Sequence, residues 1–137
     1  MISLSRAAFS VALGTALLVG SLILRLNPPA QSSFYPPCVL HKLTGLCCPG
    51  CGSTRSAHAL LNGNFSEAAD KNILFVIALP FLVWSALRWW VFWVRGLPPR
   101  FTAPLKPWLA SGIAFSVIAF AVLRNLPWPP FNYLAPR

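Results

Sequence analysis

The stretch AAFSVALGTALLVGSLIL, residues 7–24, places eighteen uncharged residues in a row between Arg6 and Arg25. At about 1.5 Å of rise per residue it makes roughly 27 Å of helix, close to the ~30 Å hydrocarbon core of a bilayer. A signal peptide is the competing reading of an apolar run behind a positive residue. This core exceeds the usual 7–15 residues, Arg25 follows at once, and no small-x-small cleavage site stands out. An uncleaved membrane helix is expected.

Composition extends that reading to the whole chain. Of 137 residues, 56% are hydrophobic and 9% charged, and the only acids are Glu67 and Asp70. A soluble domain carries about 25% charged residues, so this chain is expected to be covered by lipid rather than water. The net charge of +9 comes from eleven Lys and Arg scattered through apolar sequence. They form no stripe, which argues against nucleic acid as a partner; at helix ends they meet headgroups instead.

Two further apolar runs complete the layout. NILFVIALPFLVWSAL begins at Asn72 and continues past Arg88 through WWVFWV to Arg95. PWLASGIAFSVIAFAVL fills 107–123 between Lys106 and Arg124. The expected fold is an all-α integral membrane protein, a single domain over 1–137. Its spans fall at about 5–26, 72–95 and 107–124, with a Cys-motif loop at 27–71 between the first two. Pro80 is expected to kink the second span. Ser10 with Gly14, and Gly112 with Ser116, put small residues four apart, a spacing that suits close helix packing. Trp89, Trp90, Trp93 and Trp108 bracket the second turn, and Trp128 and Tyr133 follow the third span, as in interfacial aromatic belts. Pro98, Pro99, Pro104 and Pro107 keep that turn extended. Its Arg95, Arg100 and Lys106 put it, with the N-terminus, on the cytoplasmic side of the cell membrane. The cysteine loop then lies on the extracytoplasmic side.

Within the loop, Ser53 or Thr54 is expected to cap a short interfacial helix through RSAHALL, ended by Asn62-Gly63-Asn64. Its apolar Ala57, Leu60 and Leu61 would lie in the headgroup layer. Ser66 is expected to cap a following helix, with Glu67 and Asp70 in the first turn, running directly into the second span. Arg55 is expected to pair with Asp70, since an arginine at a lipid interface is costly to leave alone.

The chemistry concentrates in CCPGCGSTR, residues 47–55. Cys48-Pro49-Gly50-Cys51-Gly52 has the spacing of a metal knuckle: two thiolates three apart, and a glycine whose positive φ turns backbone N–H groups toward sulfur. Cys38 and His41 share the three-residue offset, so Cys38, His41, Cys48 and Cys51 form a candidate zinc set, with His58 able to replace His41. A disulfide such as Cys38–Cys48 would staple the loop by roughly 2–3 kcal/mol. A third reading is redox. The CPGC pair at a helix N-terminus beside Arg55 has a stabilised thiolate, and Cys38 with Cys47 could form a second pair. Two histidines and two acids are too few for a hydrolase site, and no phosphate loop is present.

The stretch LTGLCCPGCGSTRSAHALLNGNFSEAADKN, followed by an apolar helix, resembles a family of small bacterial membrane proteins of unknown function marked by C-P-x-C-G-x-T-R. The matching positions are Cys48, Pro49, Cys51, Gly52, Thr54 and Arg55, joined by Cys38, Asn72, Arg124 and Asn125. Cys47 is an extra to the pattern. The resemblance resumes at LRNLPWPPFNYLAP and implies a membrane location without implying any activity. The expected function is an accessory or scaffold subunit with a metal- or disulfide-stapled knuckle, in contact with the bilayer and with other membrane subunits. The alternative is a membrane thiol–disulfide oxidoreductase.

Overall fold

The computed structural model describes residues 4–29, 35–36, 38–97 and 106–135. Five α-helices follow in order: α1 (Leu4–Leu26), α2 (Val39–Thr44), α3 (Ser53–Leu61), α4 (Phe65–Arg95) and α5 (Pro107–Leu123), then a 3₁₀ turn at Phe131–Leu134. No strand occurs among the described residues. The expected extended turn through Pro98, Pro99 and Pro104 lies outside them, as does Arg100.

Two helices are long and apolar enough to cross a membrane: α1, with 23 residues, and α4, with 31. The third apolar helix, α5, has 17 residues, which at about 1.5 Å each is roughly 26 Å. Large apolar side chains on all three face outward, among them Leu17, Phe81, Trp84 and Phe115. The buried apolar set among the described residues is correspondingly small: Cys51, Ala59 and Ala68.

The helices meet through few contacts. Toward the C-terminal end of α4, the Phe9 and Trp93 rings lie 5.9 Å apart, and Arg6 sits over the Trp93 ring at 5.7 Å. Ser10 and Gly14 of α1 line a groove against Val83, Ala86 and Trp90 of α4. At the other end, His58 Nδ1 donates to the Leu24 carbonyl at 2.6 Å and ties α3 to the last turn of α1. A buried face of α3 packs on the start of α4, where the Ser56 hydroxyl donates to the Ala68 carbonyl at 2.8 Å. That face is Ser56 and Ala59, one turn apart, rather than the more apolar Ala57, Leu60 and Leu61. Small side chains let the two backbones approach.

Helix boundaries differ from expectation in a consistent way. Gly52, at φ 84°, is the residue before α3, and the helix starts at Ser53 itself. The left-handed conformation of Gly52 turns the chain out of the knuckle, so neither Ser53 nor Thr54 is left in the extended geometry a capping side chain needs. Before α4 the cap position falls on Asn64, not Ser66. An α2 helix between Cys38 and Gly45 was not anticipated; Gly45, at φ 73°, ends it.

The break in α4 falls at Asn72, with φ −163° and ψ 93°, and not at Pro80. Asn72 behaves as an internal N-cap. Its extended backbone stops one helix, and its side-chain oxygen accepts from the Phe75 N–H at 3.0 Å, three residues into the next. The apolar run that begins at Asn72 is therefore a helix with its own start.

Candidate metal centre

The knuckle is a tight turn of the backbone. The Cys51 N–H donates to the Cys48 carbonyl at 3.0 Å, and the Ser53 N–H to the Gly50 carbonyl at 3.0 Å. The Cys48 N–H points at Cys51 Sγ, 3.2 Å away, as expected where backbone donors stabilise a thiolate. This turn brings Cys48 Sγ and Cys51 Sγ to 3.3 Å, and Cys38, immediately before α2, contributes a third sulfur 3.4 Å from Cys48 Sγ. All three sulfurs lie within 4.8 Å of one another. Four cysteines are free thiols, so no disulfide joins Cys38 to Cys48 here.

Three cysteines so arranged can hold a metal ion. Thiolates on a tetrahedral ion at ~2.3 Å would sit about 3.8 Å apart, within a few tenths of an ångström of the two measured separations. His41 is not in this group. It lies in the first turn of α2, with its Nδ1 3.9 Å from the fourth thiol, Cys47 Sγ. His58 is engaged at Leu24.

The thiols differ electrically. Backbone hydrogen bonding around His41, then side-chain contacts with Cys51 and Cys48, lower Cys38 from 9.0 to about 7. Burial, reinforced by the neighbouring sulfurs of Cys48 and Cys38, pushes Cys51 up to about 12. A cluster of like-charged thiolates resists full ionisation until a cation neutralises it.

What holds the turn comes from far away in the chain. Arg124, at the end of α5 and 1% exposed, donates through Nη1 to the carbonyls of Cys48 (2.9 Å) and Pro49 (3.3 Å), and through Nη2 to that of Cys51 (3.1 Å). Its guanidinium lies 4.9 Å over the Phe120 ring. Asn72 shares its side-chain N–H groups among the Pro49 carbonyl (2.9 Å), the Cys51 carbonyl (3.2 Å) and Ser53 Oγ (3.1 Å). Asn125 pairs with Cys47 as a second strand would, accepting from its N–H at 2.7 Å and donating to its carbonyl at 2.9 Å. The carbonyls face Asn72 of α4 and Arg124 at the end of α5, while the sulfurs converge on one another.

Arg55 is exposed, as is Asp70, and no ion pair joins them among the described residues. Among the described residues the buried arginine is Arg124, and its acceptors are carbonyls. Thr54 is also exposed, and Pro49 is half-buried in the turn. Sequence spacing located the knuckle but not its supports; only the resemblance had marked Arg124 and Asn125.

No curated protein and no solved structure matches the chain. Residues 38–86, which run from the first cysteine of the cluster through Asn72 and into the apolar part of α4, match the family described as "Protein of unknown function (DUF2752)".

Proposed function

We propose that this chain is an accessory or scaffold subunit of a membrane assembly, with its extracytoplasmic loop stapled by one zinc ion on Cys38, Cys48 and Cys51. The observation that carries this reading is the convergence of three sulfurs within 4.8 Å on a turn whose carbonyls are held by Asn72 and Arg124. Thiolates favour a soft, tetrahedral ion, and zinc needs no redox partner. Three thiolates and a divalent cation carry a net charge of −1, which the buried guanidinium opposes. The energetic need is plain. Among the described residues only Cys51, Ala59 and Ala68 form the buried apolar set, and metal binding supplies folding free energy where a core cannot. Because His41 faces Cys47, the protein groups that would hold the ion are the three thiolates. Three spans, α1, the part of α4 after Asn72, and α5, hold the subunit in the cell membrane.

Metal analysis with thiol counting on the full chain in mild detergent tests this. About one zinc per chain is expected, with Cys47 reactive and three thiols protected until chelation. Metal-free protein with four reactive thiols would overturn the staple. The scaffold role is tested separately, by co-purification. A stoichiometric membrane partner is expected, and a chain that purifies alone with zinc bound overturns the role but keeps the metal.

A further inference from the structure

The far end of α4 carries a second feature, independent of the cysteines. Trp84, Leu87, Arg88, Val91, Phe92 and Arg95 line one surface groove of about 380 Å³. Arg88 and Arg95 are two turns apart, about 10 Å along the axis. The Arg88 guanidinium lies 5.7 Å over the ring of Phe92, one turn further on. Both cationic side chains line the same groove as the apolar Trp84, Leu87 and Val91.

The groove has charge and no protein anion to match it. Glu67 and Asp70 are the only acidic side chains of the chain, and both lie on the opposite side of the Asn72 break. From Asp70 to Arg88 is roughly 27 Å of helix. An arginine inside a membrane-spanning helix is costly unless its charge is met. The ligand that fits a pair of cations in an otherwise apolar groove is an amphiphile with an anionic head.

We propose that Arg88 and Arg95 form a binding site for one anionic phospholipid, the phosphate held between the two guanidinium groups and an acyl chain laid along Trp84, Leu87 and Val91. Guanidinium forks match phosphate oxygens in a way an ammonium does not. A zwitterionic lipid offers the same chain but brings its own cation, which the two arginines repel. The site rests on α4 crossing the bilayer and owes nothing to the metal.

The test uses the full chain in mild detergent, titrated with phosphatidylglycerol or phosphatidylcholine bearing brominated acyl chains, with tryptophan quenching as the readout. Quenching at lower concentrations of phosphatidylglycerol is expected. Each arginine near an anionic lipid is worth roughly fivefold in binding, so R88Q/R95Q should weaken phosphatidylglycerol binding about thirtyfold, toward the phosphatidylcholine value. R88K/R95K, which keeps the charges and loses the forks, should fall between the parent and R88Q/R95Q, and W84F should remove the lipid-specific part of the quenching. R25Q, at the other end of the molecule, should leave the affinity within about twofold if the groove and not overall charge is responsible. Equal affinity for the two lipids, or an effect of R25Q as large as that of R88Q/R95Q, would overturn the site. A chain that does not partition into detergent at all would instead overturn the membrane reading on which the site rests.

Discussion

Arg124→Met is the perturbation that bears most directly on how the knuckle is held. The arginine makes three contacts to backbone carbonyls from a position 1% exposed. Hydrogen bonds from charged donors contribute about 1.5–3 kcal/mol each, which would set an upper range near 5–9 kcal/mol. Two effects reduce it. Each carbonyl keeps another donor: Cys48 has the Cys51 N–H, while Pro49 and Cys51 have Asn72. Removing the guanidinium also relieves several kcal/mol of desolvation. A net loss of about 2–4 kcal/mol follows, a large fraction of a typical domain's stability. Asn72→Ala alone should lose its cap on Phe75 and its share of the same carbonyls, about 2 kcal/mol. In the double variant, the Pro49 and Cys51 carbonyls lose the donors of both side chains at once. Their buried acceptors then cost about 1–3 kcal/mol each beyond the single changes. The assay is equilibrium unfolding of the four proteins in one detergent, followed by tryptophan fluorescence. A coupling of about 2 kcal/mol or more is expected. Additivity within about 0.5 kcal/mol would show that the two side chains do not share the knuckle, and would refute the reasoning.

Other outcomes follow from the same geometry. In metal-free protein, alkylation of Cys38 should rise through a midpoint near pH 7, while Cys51, raised to about 12, stays protected well past pH 9. By linkage, the lowered Cys38 thiol contributes stability above its unfolded value of 9.0 and loses it as pH falls through about 7. The raised Cys51 thiol contributes below 9.0 and loses stability as pH climbs toward 12. A single shared midpoint for both would contradict the asymmetry. His41→Ala should keep one zinc per chain, because its ring faces Cys47; loss of the metal in that variant would make the imidazole a ligand. Gly52→Ala places a side chain at φ 84° and should cost about 1–2 kcal/mol in thermal unfolding, with Gly14→Ala near neutral as the comparison. Asn125→Asp keeps an acceptor for the Cys47 N–H but sets a carboxylate against the carbonyls of Cys47 and Ala121; a loss of about 1–3 kcal/mol is expected in the same scan.

What the sequence determined by itself was set by short-range and compositional physics. Eighteen uncharged residues between Arg6 and Arg25 make a run long and apolar enough to cross a membrane, where a backbone is satisfied locally only as a helix, so α1 is legible without any partner. The same holds for the apolar run after Asn72. Two cysteines three apart around Pro-Gly, followed by a glycine, fold back on themselves within one turn, and the structure places their sulfurs 3.3 Å apart. The supports of that turn were decided only by tertiary structure. Arg124 and Asn125 reach the knuckle across more than seventy residues, and what they bind are carbonyls and an N–H. Every residue carries those groups, so they leave no pattern in a sequence. Opposite charges are visible in the chain and backbone acceptors are not, so the sequence suggests an Arg55–Asp70 pair while the structure holds Arg124 on carbonyls. The internal cap at Asn72 was hidden for a related reason. Its amide is polar in either reading, and only the arrival of the knuckle beside it explains why the helix should break there. Likewise His41 shares the three-residue offset of a ligand, but the direction of its ring depends on how α2 is turned against Cys47, and that is fixed by packing rather than by spacing.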